Sequence, residues 1–195
     1  MREFSSGELL DKYVSREKLD LYLNEVGKAN AKFSLYSRNL TRKDLELLVA
    51  DCLIPFELGW LSEENEKILD IGSGWGLPAL IYLMANRELN ITLAERSRKK
   101  ADFLSLLLHR LELKATVHAD DVRTLPQDMK FDLILSRRVA FEEKLIKQIK
   151  TLSHDKTIMI YFGTAFPGNS FGESKLVEYS IDSLESRTIV RANVF

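Results

Sequence analysis

Three glycines on alternate positions, preceded by an acid at the end of an apolar run, constrain this chain more than any other feature. Asp70-Ile71-Gly72-Ser73-Gly74-Trp75-Gly76 follows the short apolar run Lys67 to Leu69 and precedes a helix-like stretch. That order reads as strand, tight loop, helix. Glycine admits positive φ, and its missing side chain lets a ligand lie against bare backbone. In a doubly wound sheet such a loop sits at the carboxyl edge of the first strand, where small molecules bind. A Gly-rich β-turn with no ligand would use the same residues.

The spacing separates two cofactor classes. A dinucleotide fingerprint is Gly-x-Gly-x-x-Gly, with its last glycine opening the helix under a pyrophosphate. Here the third glycine comes one residue early, and Leu77-Pro78 follow. Pro78 suits a first helical turn, where its absent N–H is not missed. An acid two residues ahead of Gly-x-Gly-x-Gly resembles the S-adenosylmethionine (SAM) methyltransferases. In that resemblance the glycines make room for the methionine part and the sulfonium.

Two further acids fit. Glu95 closes the apolar run Asn90 to Ala94 and lies 23 residues after Gly72. A carboxylate at the end of the second strand can accept both ribose hydroxyls of a nucleoside cofactor. Its alternative is a surface acid pairing with Arg96 or Arg98. Asp120-Asp121-Val122 follows the third apolar run, Ala115 to His118. An acid there can accept from an adenine amino group while Val122 packs on the ring, although adjacent acids also serve as turn residues.

The 195 residues allow one α/β domain with a small extension. A hydrophobic content of 45% against 29% charged is that of a soluble globular chain. The single Cys52 excludes an internal disulfide and fits a reducing compartment, so a cytoplasmic location is expected. Residues 1–11 lack the apolar block of a signal region, and the longest apolar stretch, Leu77 to Ala85, is too short for a bilayer span. With a net charge of −1, any nucleic-acid contact must come from a local patch such as Arg38, Arg42 and Lys43, or Arg96, Arg98, Lys99 and Lys100.

Periodicity predicts an N-terminal helical extension over residues 1–66 and a catalytic unit over 67–195. In the extension, Leu19, Tyr22, Leu23 and Val26 form one stripe; Leu45, Leu48, Val49, Cys52, Leu53 and Phe56 form another. Residues 28–42 read as a loop or broken helix, and the acidic Ser62 to Glu66 marks the extension's end. Strands are expected at 67–71, 90–95, 115–118, 131–135 and 157–162, with helices at 77–87, 97–111 and 141–152. This alternation gives a parallel sheet covered on both faces. Leu176 to Ile181 and Thr188 to Val194 then read as an antiparallel hairpin. The expectation is an α/β, Rossmann-like, mostly parallel seven-stranded sheet, similar to the class I SAM methyltransferases.

A narrower resemblance rests on four segments. Leu69 to Ala79 looks like the first motif of the bacterial glucose-inhibited division protein B family, also called ribosomal small-subunit methyltransferase G. Leu93-Ala94-Glu95-Arg96-Ser97-Arg98-Lys99-Lys100-Ala101-Asp102-Phe103-Leu104 is similar to its second motif. Phe131 to Arg137 is similar to its strand-four ending, Ser-Arg, and Thr188 to Val194 to its final strand. The resemblance implies SAM as cofactor, and guanine N7 of 16S rRNA as acceptor, in free RNA or a small-subunit precursor. By match of position it implies Gly72, Leu77, Asp121, Val122 and Arg137 as cofactor contacts, beside Asp70, Ser73, Gly74, Gly76 and Glu95 read from the bend and the second strand. Arg137, the arginine at the site mouth, is also the candidate catalytic residue.

The chain departs from the family on the RNA side. The family's Asn-Leu-Thr-Ser falls on Ser34-Leu35-Tyr36-Ser37, and its His-x-x-Asp-Ser on Leu48-Val49-Ala50-Asp51-Cys52, with no histidine before His109. Asn39-Leu40-Thr41 is a literal match that leaves Asp51-Cys52 unaligned. Ala-Phe after Ser-Arg becomes Arg138-Val139-Ala140-Phe141, and Lys-Gly becomes Phe162-Gly163. A methyltransferase acting on another RNA or a small molecule, or a non-catalytic SAM- or RNA-binding protein, stays open.

Guanine N7 keeps an in-plane lone pair, so its methylation needs no base and no metal; orientation in a dry pocket suffices. Arg137 can donate to guanine O6 or a phosphate, or else pair with Glu142 or Glu143. His118 reads as structural. Phe166 and Phe171 either stack on a base or anchor their loop. A monomer, with no metal and no membrane association, completes the expectation.

Overall fold

The computed structural model describes residues 1–61, 67–86 and 88–195. Strand β2 (Lys67–Ile71) lies between β3 (Asn90–Ala94) and β5 (Phe131–Arg137), parallel to both. Short β4 (Thr116–His118) flanks β3, and β6 (Ser153–Phe162) flanks β5, also in parallel. These strands are apolar nearly throughout because helices cover both faces. Period-two alternation sends Ile68, Leu133, Leu135 and Ile160 to one core, and Leu69, Ile71, Ile134 and Met159 to the other. The first core is closed by α4 (Ala79–Ala85), α5 (Arg98–Arg110) and the N-terminal helices; the second takes Ile149 of α6 (Glu143–Thr151).

Beyond β6 the sheet turns antiparallel. The expected hairpin is β7 (Ser174–Ile181) with β8 (Arg187–Asn193), and β8 pairs antiparallel with β6. Among the described residues the sheet has eight strands rather than seven, because Arg2–Phe4 forms β1, parallel to β7 at the outer edge. Three residues carry no readable alternation; what orders them is the free edge of β7. Asp182, in the turn after β7, holds the following segment by accepting from Ser6 N at 2.9 Å and Ser6 Oγ at 2.6 Å.

Three helices make up the rest of the N-terminal segment: α1 (Ser6–Tyr13), α2 (Arg16–Lys32) and α3 (Arg42–Glu57). Helix α2 runs five residues into the stretch read as a loop. After it, Asn30 Oδ1 accepts from Leu35 N at 2.8 Å and Tyr36 N at 3.1 Å, which fixes the connection. The stripes read from the sequence do face the first core, with Tyr22, Val26, Val49 and Leu53 fully buried. The boundary placed at Ser62 to Glu66, and Arg87 at the expected end of the 77–87 helix, lie outside the described residues.

The loop after β6 is anchored on the second core. Phe166 and Phe171 stack at 5.2 Å, and Phe141 meets both at 6.0 Å. Those rings are therefore committed to packing, which decides the choice the sequence left open.

Helix α3 starts on a capping box: Thr41 Oγ1 accepts from Asp44 N at 3.3 Å, and Thr41 N donates to Asp44 Oδ2 at 2.7 Å. Thr41→Ala is expected to cost about 1 kcal/mol in urea unfolding, the usual worth of such a cap.

Candidate active site

The bend after β2 is held from the neighbouring strand. Ala94 O, at the end of β3, accepts from both Gly72 N at 2.9 Å and Ser73 N at 3.2 Å, and Gly76 N closes the turn on Ser73 O at 2.7 Å. Gly72, Gly74 and Gly76 all have positive φ, at 74°, 58° and 103°. Their missing side chains serve different neighbours. A Cβ on Gly76 would lie 2.2 Å from Leu80 Cδ1, so that glycine lets α4 pack on the bend. A Cβ on Gly72 would meet Val139 Cγ2 at 2.8 Å, so the loop after β5 lies against it. At Gly74 the nearest atom is a carbonyl oxygen at 3.7 Å. Only this glycine leaves its backbone open in the way a ligand needs.

Glu95 spans two loops. Its Oε2 accepts from Gly74 N at 2.9 Å and its Oε1 from Ser97 N at 2.8 Å. The carboxylate is 7% exposed and pairs with neither Arg96 nor Arg98; Arg98 bonds Asp102 at 3.1 Å instead. Ser73 is buried and donates to Asp70 O at 3.1 Å, while Leu77 packs in the first core and Pro78 caps α4. Trp75 leans on the N-terminal segment: Tyr22 stacks on it at 6.1 Å and bonds its carbonyl at 3.1 Å, and Tyr36 lies 5.3 Å away.

The third cofactor acid is differently placed. Asp121 is bridged by Arg123 Nε at 2.8 Å and Nη2 at 2.7 Å, and this pairing holds its carboxyl down near about 2. Asp120, next to it, is exposed, and Val122 is buried in the second core. His118 Nε2 lies 2.8 Å from Thr124 Oγ1 and 3.1 Å from Asp121 O, a turn-bracing role.

Arg137 ends β5 one residue past Ser136, which pairs with Ile71 just before the bend. Its guanidinium faces neither Glu142 nor Glu143: Nη1 donates to Asp51 Oδ2 at 2.6 Å, and the group lies 5.5 Å over the Phe162 ring. Asp51, on α3, also accepts from Tyr179 Oη at 2.5 Å and faces Arg187 Nη1 at 3.4 Å. Arg137, Arg138, Arg187 and Asp51 line a cavity of about 590 Å³ between α3 and the ends of β5, β6 and β8. Beneath it, burial pushes the Cys52 thiol up to about 12, so it is no nucleophile. Sequence reading missed Arg187 and Tyr179 altogether and used Asp51 only for alignment. The available signal was a charge set inside the apolar run Leu47 to Ile54.

Asp70 is fully buried, and neither carboxylate oxygen has a hydrogen-bond partner among the described residues. With no exposed surface it underlies the bend. Burial pushes its carboxyl up to about 8, so near neutral pH the folded chain keeps a proton the unfolded chain has released. Stability therefore falls as pH rises from the ordinary carboxylate range toward 8, by on the order of 1.4 kcal/mol per pH unit for this group. Asp70→Asn removes that dependence. Urea unfolding at pH 6 and pH 8 is expected to show the variant gaining about 2 kcal/mol on the parent across that interval. A second contrast separates the glycines: Gly76→Ala is expected to lower the melting temperature more than Gly74→Ala, because only the former drives a side chain into Leu80.

Comparison with known proteins matches residues 15–186 to the family GidB, rRNA small subunit methyltransferase G. A relative of that name from Mesomycoplasma hyopneumoniae (strain 7448) is 32% identical over 171 residues, covering 85% of this chain and 83% of its own. One from Ureaplasma parvum serovar 3 is 32% identical over 143 residues, covering 69% and 58%. Among solved structures, a T. thermophilus 16S rRNA methyltransferase in complex with AdoMet and guanosine superposes at TM-score 0.58 with 15% identity, over 81% of this chain and 45% of that one. MtNAS in complex with MTA and tNA superposes at 0.58 with 15% identity, over 91% and 71%. These two show a shared fold. With the family match spanning the bend, Glu95 and Arg137 alike, the chain belongs to the GidB family of SAM-dependent rRNA small subunit methyltransferases.

Proposed function

We propose that this chain methylates N7 of a guanine in 16S rRNA, with the cofactor over the glycine bend and the acceptor base entering from the cavity beside Arg137. The observation that carries the reading is Glu95: it takes the N–H of the open glycine and lies at the end of β3, one strand from the bend. The residues fit a nucleoside ligand. Gly74 offers unobstructed backbone, Glu95 offers carboxylate oxygens for ribose hydroxyls, and exposed Asp120 or the neighbouring Asp121 offers an acceptor for an adenine amino group. Gly72, Ser73 and Leu77 shape the bend around them. When bound, SAM supplies a methyl group activated on a sulfonium.

The chain's own task is orientation. Guanine N7 bears no proton, so no side chain has to remove one before it reacts. Arg137 suits a donor to O6 or to the flanking phosphate, and Arg187 and Arg138 add guanidinium groups to a wall that also carries Asp44, Asp51 and Glu185. Phe162, where the family has lysine, replaces a charge by a ring under the Arg137 guanidinium, leaving recognition to the arginines.

Labelled methyl transfer to 16S rRNA, as free RNA and as assembled subunits, tests the reading. The expected product is one N7-methylguanine, located by strand scission after borohydride and aniline; label at a site resistant to scission would overturn the N7 assignment. SAM is expected to raise the melting temperature and NAD to leave it unchanged. Glu95→Gln is expected to weaken SAM binding by about tenfold, about 1.4 kcal/mol, for loss of a charged acceptor.

A further inference from the structure

The cavity wall holds an arrangement that the methyl-donor side does not use. Asp51 is 4% exposed and carries one negative charge inside the first core's polar margin. Three groups converge on it from three strands: Arg137 at the end of β5 and Tyr179 near the end of β7 donate hydrogen bonds, and Arg187 at the start of β8 makes an ion pair at 3.4 Å. One carboxylate thus stands between two guanidinium groups, and both arginines line the cavity. A lone buried carboxylate would be costly, whereas one met by two donors and a second cation is held in a single orientation. Arginine side chains have high rotamer entropy, and fixing them before a substrate arrives lowers the cost of ordering them on binding.

We infer that Asp51 is a positioning residue for the methyl acceptor: its carboxylate fixes the directions of Arg137 and Arg187 across the cavity, so that α3 of the N-terminal segment completes the acceptor side of the site. The inference rests on the reading that the target base enters this cavity. Asp51 acts through the two guanidinium groups. Tyr179 keeps the carboxylate turned toward them by donating to its other oxygen. The buried Cys52 thiol beside Arg137, 3.9 Å from Nη1, gives that guanidinium no competing anion.

Asp51→Asn keeps the shape and removes the charge. Steady-state methyl transfer to 16S rRNA is expected to lose about 30- to 100-fold in kcat/KM, the scale of a misplaced catalytic contact. SAM should still bind at full stoichiometry with Kd within about threefold, since the bend is untouched. A merely structural role would instead lower the SAM-binding stoichiometry in step with activity. In NMR spectra the Nε–Hε signals of Arg137 and Arg187, assigned with Arg137→Lys and Arg187→Lys, should move to solvent-averaged positions in Asp51→Asn. In an Arg137→Lys background, Asp51→Asn should cost much less than it does alone, because the two act in series. Should Asp51→Asn fail to fold, Tyr179→Phe serves: it removes one hydrogen bond and is expected to give a smaller loss of the same kind. If the parent methylates 16S rRNA and the folded variants keep its kcat/KM and its arginine signals, the positioning role is overturned. If the parent leaves 16S rRNA unmodified, the functional reading fails instead, and the arginine signals still decide whether Asp51 orders the pair.

Discussion

Four parallel strands that stop along one edge decide where everything else in this molecule can go. Because β2, β3, β5 and β6 run in one direction, the residues that follow them emerge side by side. The glycine bend, Glu95, Arg137 and Gly163 are far apart in sequence and neighbours at that edge. The pairing does not end with the strands. Ala94 O takes the first two N–H groups of the bend, so β3 holds the loop after β2 as firmly as it holds the strand. Glu95 then continues the same seam with a side chain. The bend is a preorganised surface because its polar backbone is already spoken for.

The two halves of the site are built by different means. On the donor side, backbone geometry dominates, and the deciding residues are those with no side chain or a buried one. Around the cavity, charge dominates, with three arginines and the acids Asp44, Asp51 and Glu185 on its wall, Asp51 buried between two of the arginines. Backbone recognition tolerates little change in the residues that shape it. Charge recognition can be rebuilt from whichever elements reach the same space.

Legibility in the sequence follows the same division. The bend and Glu95 were readable because glycine spacing and an acid at a strand end are local patterns with local causes. Asp70 was half readable: its position was right, but its complete burial depends on α4 and β5 closing over it. The Asp51 cluster was not readable. Its other members lie 86 to 136 residues after Asp51, and each is ordinary until the sheet brings β5, β7 and β8 beneath α3. Arg137 illustrates the cost of reading locally, since its partner is on a helix far upstream rather than Glu142 or Glu143 a few residues on. Strand β1 escaped for the same reason, being a strand only because β7 offers it an edge.

Trp75 brings a spectroscopic consequence. Its indole sits inside the glycine bend yet packs against two tyrosines of the N-terminal segment. Indole emission responds to polarity within a few ångströms, and Tyr22 and Tyr36 are near enough to pass excitation to it. The molecule thus carries a fluorophore at the seam between its first helices and the glycine bend, where its emission reports the polarity of that contact without an added label.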